Sequence, residues 1–325
     1  MRTLHTETKF TGPLSDNTEL VGSNILITGG TGSFGQAFVH KVLEELKPER
    51  LVIYSRDELK QSEMARKYGE DKYPCVRYFI GDVRDRERLE LALRDIEHVV
   101  HAAALKQVPT AEYNPFECIH TNVLGMENVV RAALNTKVQS VLFLSTDKAV
   151  SPVNLYGASK LAAERICIAA NNMSGHKGAR FSVIRYGNVV GSRGSVVELF
   201  AKLINNKAAE LPITDERMTR FWLTLEQGVD FVLSCFPLMR GGEVFVPKIP
   251  SMRITELAAC MAPDLPVSFI GIRPGEKLHE VLLTPEEARN TLDFGDRYII
   301  EPDLKYWVRP SLGDIGGKSL KKGFR

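Results

Sequence analysis

Short apolar runs recur through the first two thirds of the chain, at 25–27, 51–54, 76–80, 98–101, 141–144 and 181–184, with amphipathic stretches between them. Alternation of strand-like and helix-like patterns predicts an α/β protein built on a parallel, doubly wound sheet. Beyond Asn188 the units shorten to a helix near 196–204, a helix over 225–236, a strand over 243–246 and a helix capped by Thr255. The expected organisation is a large dinucleotide-binding sheet domain over 23–188 and a segment over 189–302 that is mainly a smaller C-terminal α/β lobe for substrate. Residues 1–22 form a leader without an assigned role. Residues 303–325, with Gly313, Gly316, Gly317, Lys318, Lys321 and Lys322, are expected to be an irregular tail.

Composition narrows the class. The 325 residues, 44% of them hydrophobic, can bury one large core and a smaller second one. A net charge of +2 with Lys and Arg scattered along the chain argues against nucleic acid or a membrane surface as partner. The polar first 22 residues and the lack of any long apolar stretch predict neither export nor a membrane span, hence a cytoplasmic protein. Cys75, Cys118, Cys167, Cys235 and Cys260 form no Cys-x-x-Cys pair and read as buried thiols of a reducing compartment. No metal site is predicted.

Candidate chemistry begins where the first run ends. In TGGTGSFG (28–35), Gly29, Gly32 and Gly35 have the spacing that brings backbone and a helix N-terminus up to a pyrophosphate, with Thr31, Ser33 and Phe34 between them. The strand-turn-helix context favours this Rossmann-type reading over a plain tight turn. Ser55, Arg56 and Asp57 end the second strand, with Lys60 just beyond. An arginine with a hydroxyl neighbour suits the 2′-phosphate of NADP, and Asp57 keeps NAD open. Asp82-Val83 follows the third strand, either against an adenine or, for Asp82, as a helix N-cap. Ala102 and Ala103 leave room for a dinucleotide after the fourth strand, where His101 reads as a core residue; Lys106 and Val189 join the cofactor set.

STDKA (145–149) ends the fifth run, and Tyr156 and Lys160 follow one helical turn apart. That spacing puts both on one helix face, where the ammonium is expected to depress the phenol pKa. Asp147-Lys148 could be an ordinary solvated pair, but it sits where a parallel sheet delivers functional groups.

The glycine spacing, the Tyr156/Lys160 pair and the two-lobed length resemble the extended short-chain dehydrogenase/reductases. Longer strings, YSRDELKQ (54–61), AAALK (102–106), STDKA, RYGNVVGSRG (185–194), MTRFW (218–222) and IRPGEKLHE (272–280), resemble the inverting UDP-N-acetylglucosamine 4,6-dehydratases of pseudaminic acid biosynthesis. The likeness covers roughly residues 22 to 302.

That resemblance implies oxidation of the sugar at C4 by NADP+, removal of the C5 proton, loss of the C6 hydroxyl as water and return of hydride to C6. Tyr156 would take the C4 hydroxyl proton and Lys160 would also hold the nicotinamide ribose. Asp147 would be the acid at the C6 oxygen and Lys148 the group that removes and replaces the C5 proton. To act so, Lys148 has to be partly neutral, a shift worth roughly 4 to 5 kcal/mol. Relatives that retain C5 configuration carry a glutamate at this place, so lysine implies inversion. Lys106, Asn188, Arg193, Arg220 and Arg273 would surround UDP-N-acetylglucosamine, with Arg273 ahead of a helix whose N-terminus adds positive potential.

Glu198 stands where that family usually has proline, and the tail matches nothing in it. A UDP-sugar 4-epimerase would need only the tyrosine, the lysine and the glycine loop; a non-catalytic NADP-binding regulator would commonly lose the pair. Helices near 115–135 and 155–173 are expected to form the interface of a homo-oligomer, dimer or hexamer, and the product could feed flagellin glycosylation or a surface polysaccharide.

Overall fold

The computed structural model describes residues 10, 17–175, 178–192, 194–303, 307 and 309–321. Arg193 and most of the leader lie outside them.

Each of the six runs forms a strand: β1 (Asn24–Thr28), β2 (Arg50–Ser55), β3 (Val76–Ile80), β4 (His98–His101), β5 (Ser140–Leu144) and β6 (Arg180–Ile184). Two smaller groups follow, β7 (Asn188–Val190), β8 (Leu211–Ile213) and β9 (Thr219–Thr224), then β10 (Val244–Pro247), β11 (Ser251–Arg253) and β12 (Val267–Phe269). The last strands are β13 (Thr291–Asp293), β14 (Arg297–Ile300) and β15 (Lys318–Ser319).

Among the described residues the main sheet is 10-stranded, in the order β15-β13-β14-β10-β6-β5-β4-β1-β2-β3. From β3 through β10 neighbours run parallel, and β14, β13 and β15 close one edge antiparallel. The strands read as continuous apolar runs because both faces are covered: Leu26, Val52, Val99 and Val141 face one core, Ile25, Ile53, Val100 and Leu142 the other. Chain order reverses between β1 and its neighbour β4, which opens a crevice beyond the strand C-termini.

Helices α1 (Ser33–Lys41), α2 (Glu58–Lys67) and α3 (Arg86–Ala92) connect the first strands. The helix expected near 115–135 forms: behind the short α4 (Val108–Tyr113), α5 (Pro115–Ile119) runs on through a π turn at His120–Leu124 into α6 (Gly125–Leu134). The 20-residue α7 (Leu155–Ser174) carries the tyrosine and lysine, capped by Asn154, whose side chain accepts from the Gly157 amide. Buried Arg185, after β6, ties this helix down through Glu164 at 2.7 Å and Glu287 at 2.9 Å.

Helices α8 (Val196–Asn205), α9 (Leu225–Cys235) and α10 (Ile254–Met261) complete the set. The β11-β9-β7 and β12-β8 sheets, with α8 and α10, enclose a separate core around Phe200, Leu211, Trp222 and Leu257.

Several expectations need correction. The strand near 243–246 does not belong to the smaller lobe: as β10 it pairs with β6 in the main sheet, so the chain returns there after residue 188. Helix α10 starts at Ile254 behind Arg253, not at a Thr255 cap. The tail is not uniformly irregular, since Lys318–Ser319 pair with β13, Leu312 is buried, and Arg309 binds Glu243 at 2.5 Å. Among the described residues no α-helix follows Arg273: Pro274 lacks an amide proton, Gly275 has φ +79, and the next helical turn is a 3-10 segment at Glu287–Asn290. Cys118, Cys167 and Cys235 are buried, but Cys260 is exposed.

Candidate functional site

The crevice is a cleft of about 830 Å³ running from the glycine loop across α7 to the smaller lobe. At its floor, Gly29 has φ +68, and a side chain there would sit 2.9 Å from the Ala103 amide nitrogen. Gly35 lets α1 approach the loop, since a Cβ would meet the Gly30 carbonyl oxygen at 2.4 Å. Among the described residues no side chain caps α1 at Gly32, and this helix N-terminus lies on the cleft wall. This uncapped N-terminus, with Thr31, Ser33 and Phe34 on the cleft wall and the small Ala102 and Ala103 opposite, fits a dinucleotide pyrophosphate.

At the far end lie Ser55, Arg56, Asp57, Lys60, Asp82 and Val83. Gln61 Nε2 locks this rim by donating to the Ser55 carbonyl and hydroxyl oxygens, both at 3.1 Å, and to the Phe79 carbonyl at 2.9 Å. Asp57 caps α2, accepting from the Lys60 amide at 3.0 Å, and its other oxygen meets the Lys60 ammonium. Asp82 is not the N-cap considered from sequence; Asp85 caps α3. Burial opposes charge on Asp82, but Arg84 and Arg56 outweigh it and hold the carboxyl below its usual range. The Arg56 guanidinium lies 3.6 Å from it and half-exposed.

His101 is the buried core residue expected. Its Nδ1 meets the Thr28 hydroxyl at 2.7 Å, its ring stacks on Phe143, and burial pushes its pKa down to about 3.

The catalytic candidates converge where β5 ends. Lys160 is buried, donates to the Leu144 carbonyl at 2.6 Å and packs 4.0 Å from the Phe143 ring centroid. Burial lowers its pKa to about 7, with Glu164 opposing. Tyr156 runs against the expected depression by Lys160: burial pushes it up to about 12, and the groups pulling it down are the Lys148 charge and a hydrogen bond to Thr146. Lys160 is spent on backbone and an aromatic face, and the cation that pulls on the phenol is Lys148.

Lys148 also departs from expectation. Its Nζ lies 3.1 Å from Asp147 Oδ1 and 3.3 Å from Glu280 Oε1. Burial disfavours its charge, but the two carboxylates outweigh burial and raise its pKa, so this lysine is held as an ammonium rather than poised neutral. Asp147 is fully buried behind it, with Oδ1 accepting from the Thr146 hydroxyl at 2.9 Å, and does not line the cleft. The 147–148 pair is therefore no solvated strand end.

On the substrate side Lys106, Asn188, Arg220 and Arg273 all line the cleft. Burial lowers the Lys106 pKa, opposed by Glu198. Arg220 Nη1 donates to the carbonyls of Thr219 at 2.7 Å and Leu278 at 3.2 Å, and exposed Arg273 pairs with Glu276 at 3.1 Å. Val189 lies on the same wall. Glu198 accepts from the Gly194 amide at 2.6 Å and leaves the start of α8 at Val196 behind its Ser195 cap. Sequence reasoning missed Glu280 and Asn122. Glu280 ends the IRPGEKLHE string, and that membership was its sole signal.

A doubly wound sheet with a glycine loop, a Tyr-x-x-x-Lys helix and a second lobe over the same cleft defines an extended short-chain dehydrogenase/reductase. Residues 25–302 match the family described as polysaccharide biosynthesis protein, and the chain belongs to it. It is 56% identical over 306 residues to the UDP-N-acetylglucosamine 4,6-dehydratase (inverting) of Campylobacter jejuni, covering 93% of this chain and 91% of that protein. It is 43% identical to the UDP-glucose 4-epimerase of Rickettsia bellii over 89% of this chain and 87% of that one. Among solved structures it superposes on Pen from Bacillus thuringiensis with TM-score 0.84 and 38% identity, covering 88% and 89% of the two chains. The resemblance drawn from the motif strings is thereby borne out. No helix of the described residues is long and apolar enough to cross a membrane.

Proposed function

We propose that this chain is an NADP-dependent, C5-inverting UDP-N-acetylglucosamine 4,6-dehydratase, a hydro-lyase yielding a UDP-2-acetamido-2,6-dideoxy-4-keto-hexose. The observation that carries the reading is cleft-lining Lys148 with Asp147 buried behind it, one short loop before Tyr156, in a chain 56% identical to a dehydratase of that name. Bound NADP+ would accept hydride from C4 and return it at C6.

The protein's part is proton handling and positioning. Tyr156 receives the C4 hydroxyl proton, for which its phenol, at about 12 in the ligand-free cleft, needs added positive charge beside it. Lys148 moves the C5 proton. Asp147 supplies the proton for the departing C6 oxygen, which requires the carboxyl, now behind Lys148, to gain access as substrate settles. Lys106, Asn188, Arg220 and Arg273 bind the nucleotide and sugar, and Arg193 is assigned with them. The site would work in the cytoplasm, as the first step of pseudaminic acid biosynthesis, in a homo-oligomer packed through α6 and α7.

The 43% identity to a UDP-glucose 4-epimerase favours a second reading, reversible oxidation at C4 alone. Incubating the protein with UDP-N-acetylglucosamine and NADP+ in deuterated water separates the two. Loss of one water with deuterium at C5 in the inverted configuration is expected; an epimer of unchanged mass would overturn the dehydratase reading.

A further inference from the structure

Lys148 poses a problem that its own motif does not solve. To take the C5 proton it has to present a free amine, yet Asp147 and Glu280 hold it as an ammonium. Arg220 opposes them, and Tyr156 feels the Lys148 charge from its own side. The proton on Lys148 needs somewhere to go that is within reach and shielded from bulk water.

We propose that Glu280 is the positioning residue that takes this proton, so that Lys148 and Glu280 act as a coupled pair in the C5 step. The inference rests on the dehydratase reading above.

Placement supports it. Glu280 is buried, lines the cleft, and its Oε1 stands 3.3 Å from Lys148 Nζ. It is brought there by an irregular segment fixed on both sides. Lys277 Nζ donates to the Val150 carbonyl at 2.5 Å, Asn154 Nδ2 to the Gly275 carbonyl at 2.7 Å, and the Thr219 amide to the Leu278 carbonyl at 3.2 Å. The Thr219 hydroxyl meets His279 Nδ1 at 2.8 Å. These contacts hold the segment to the loop after β5, to the cap of α7 and to β9.

Position selects Glu280 over Asp147 as acceptor. Asp147 Oδ1 already receives hydrogen bonds from Thr146 Oγ1 at 2.9 Å and Lys148 Nζ at 3.1 Å, behind the cleft wall. Asp147 Oδ2 and Glu280 Oε2 are both buried without a hydrogen-bond partner, but only Glu280 of the two lines the cleft, and Lys277, 3.6 Å from its Oε2, spends its ammonium on a carbonyl.

The step balances. One N–H bond on Lys148 breaks as one O–H bond forms on Glu280, and the free amine then takes the C5 proton and becomes an ammonium again. When C5 is reprotonated from Lys148, the Glu280 proton returns to the amine and both groups regain their starting charge.

The test uses the full chain with UDP-N-acetylglucosamine and NADP+ in deuterated water, following cofactor absorbance, C5 deuterium and loss of water. Glu280→Gln is expected to keep KM and the first hydride transfer, while elimination falls about 100-fold at neutral pH. Its residual rate should climb with pH as Lys148 loses its proton to solvent, where the wild type is flat. Glu280→Asp, which keeps a carboxylate, should recover at least about tenfold over the amide. Elimination by Glu280→Gln within about threefold of wild type overturns the proposal, and so does an equal loss in both variants at every pH. A wild type that conserves substrate mass overturns the dehydratase reading itself, whereas normal wild-type dehydration with a normal Glu280→Gln overturns this inference alone.

Discussion

The side-chain amide of Asn122 closes on both backbone groups of Leu105: Oδ1 accepts from its N–H at 2.8 Å and Nδ2 donates to its carbonyl at 3.0 Å. The same Nδ2 reaches Ser159 Oγ at 2.9 Å, and that hydroxyl donates to the Tyr156 carbonyl at 2.7 Å. The π turn at His120–Leu124 thus clamps the loop bearing Ala102, Ala103 and Lys106 to the helix bearing Tyr156 and Lys160. Asn122→Leu leaves the part-buried Leu105 groups without these partners, at a cost of about 1 kcal/mol. Urea unfolding should register that loss, and calorimetric titration should show weaker NADP binding; unchanged values in both would refute the clamp.

Arg56 stands at the rim with its guanidinium turned only partly onto Asp82. Charge-assisted hydrogen bonds to a 2′-phosphate are worth about 1.5–3 kcal/mol. Arg56→Ala should therefore weaken NADP binding by roughly 10- to 100-fold with little change for NAD. A preference that survives the substitution would move recognition of the 2′-phosphate elsewhere.

Lys160 makes the stability of the ligand-free protein depend on pH. Its folded pKa, lowered by burial from the usual 10.5 to about 7, means the unfolded chain binds a proton between these values that the folded protein lacks. Unfolding free energy therefore rises with pH across that window, and below it the full burden of the buried charge is felt. Relative to Lys160→Met, the wild type should gain about 3 kcal/mol between pH 7 and pH 9.5. Calorimetry of both proteins without cofactor measures the difference; a gap independent of pH would contradict it.

Arg185, Glu164 and Glu287 form a buried ionic cluster behind the catalytic helix. Glu164→Leu removes the carboxylate that takes both Arg185 Nε and Nη2, leaving Glu287 to balance the guanidinium alone. A loss of about 3–5 kcal/mol is expected, since the surviving charge stays desolvated. Denaturant midpoints decide it, and a loss below about 1 kcal/mol would show the cluster relaxing into solvent.

Much of the nucleotide half could be read directly from the chain. Glycines 29, 32 and 35, Ser55, Arg56 and the paired alanines 102 and 103 lie at strand ends whose apolar runs are contiguous, so periodicity and spacing place them without knowledge of distant contacts. Tyr156 and Lys160 belong to one helix for the same local reason. The proton chemistry was less legible, because it turns on burial: Tyr156 is raised rather than lowered, and Lys148 is held charged.

Local pattern alone determined β1 to β6, the glycine loop and the order of chemical groups from Asp147 to Lys160, since each depends on residues within a turn or a strand of one another. Tertiary structure decided which strands share a sheet, drawing β10 and β15 back to the main one, and it brought Glu280 from an irregular segment to within 3.3 Å of Lys148. Such pairings are set by the free energy of burying remote segments against each other, and no spacing in the sequence encodes that quantity.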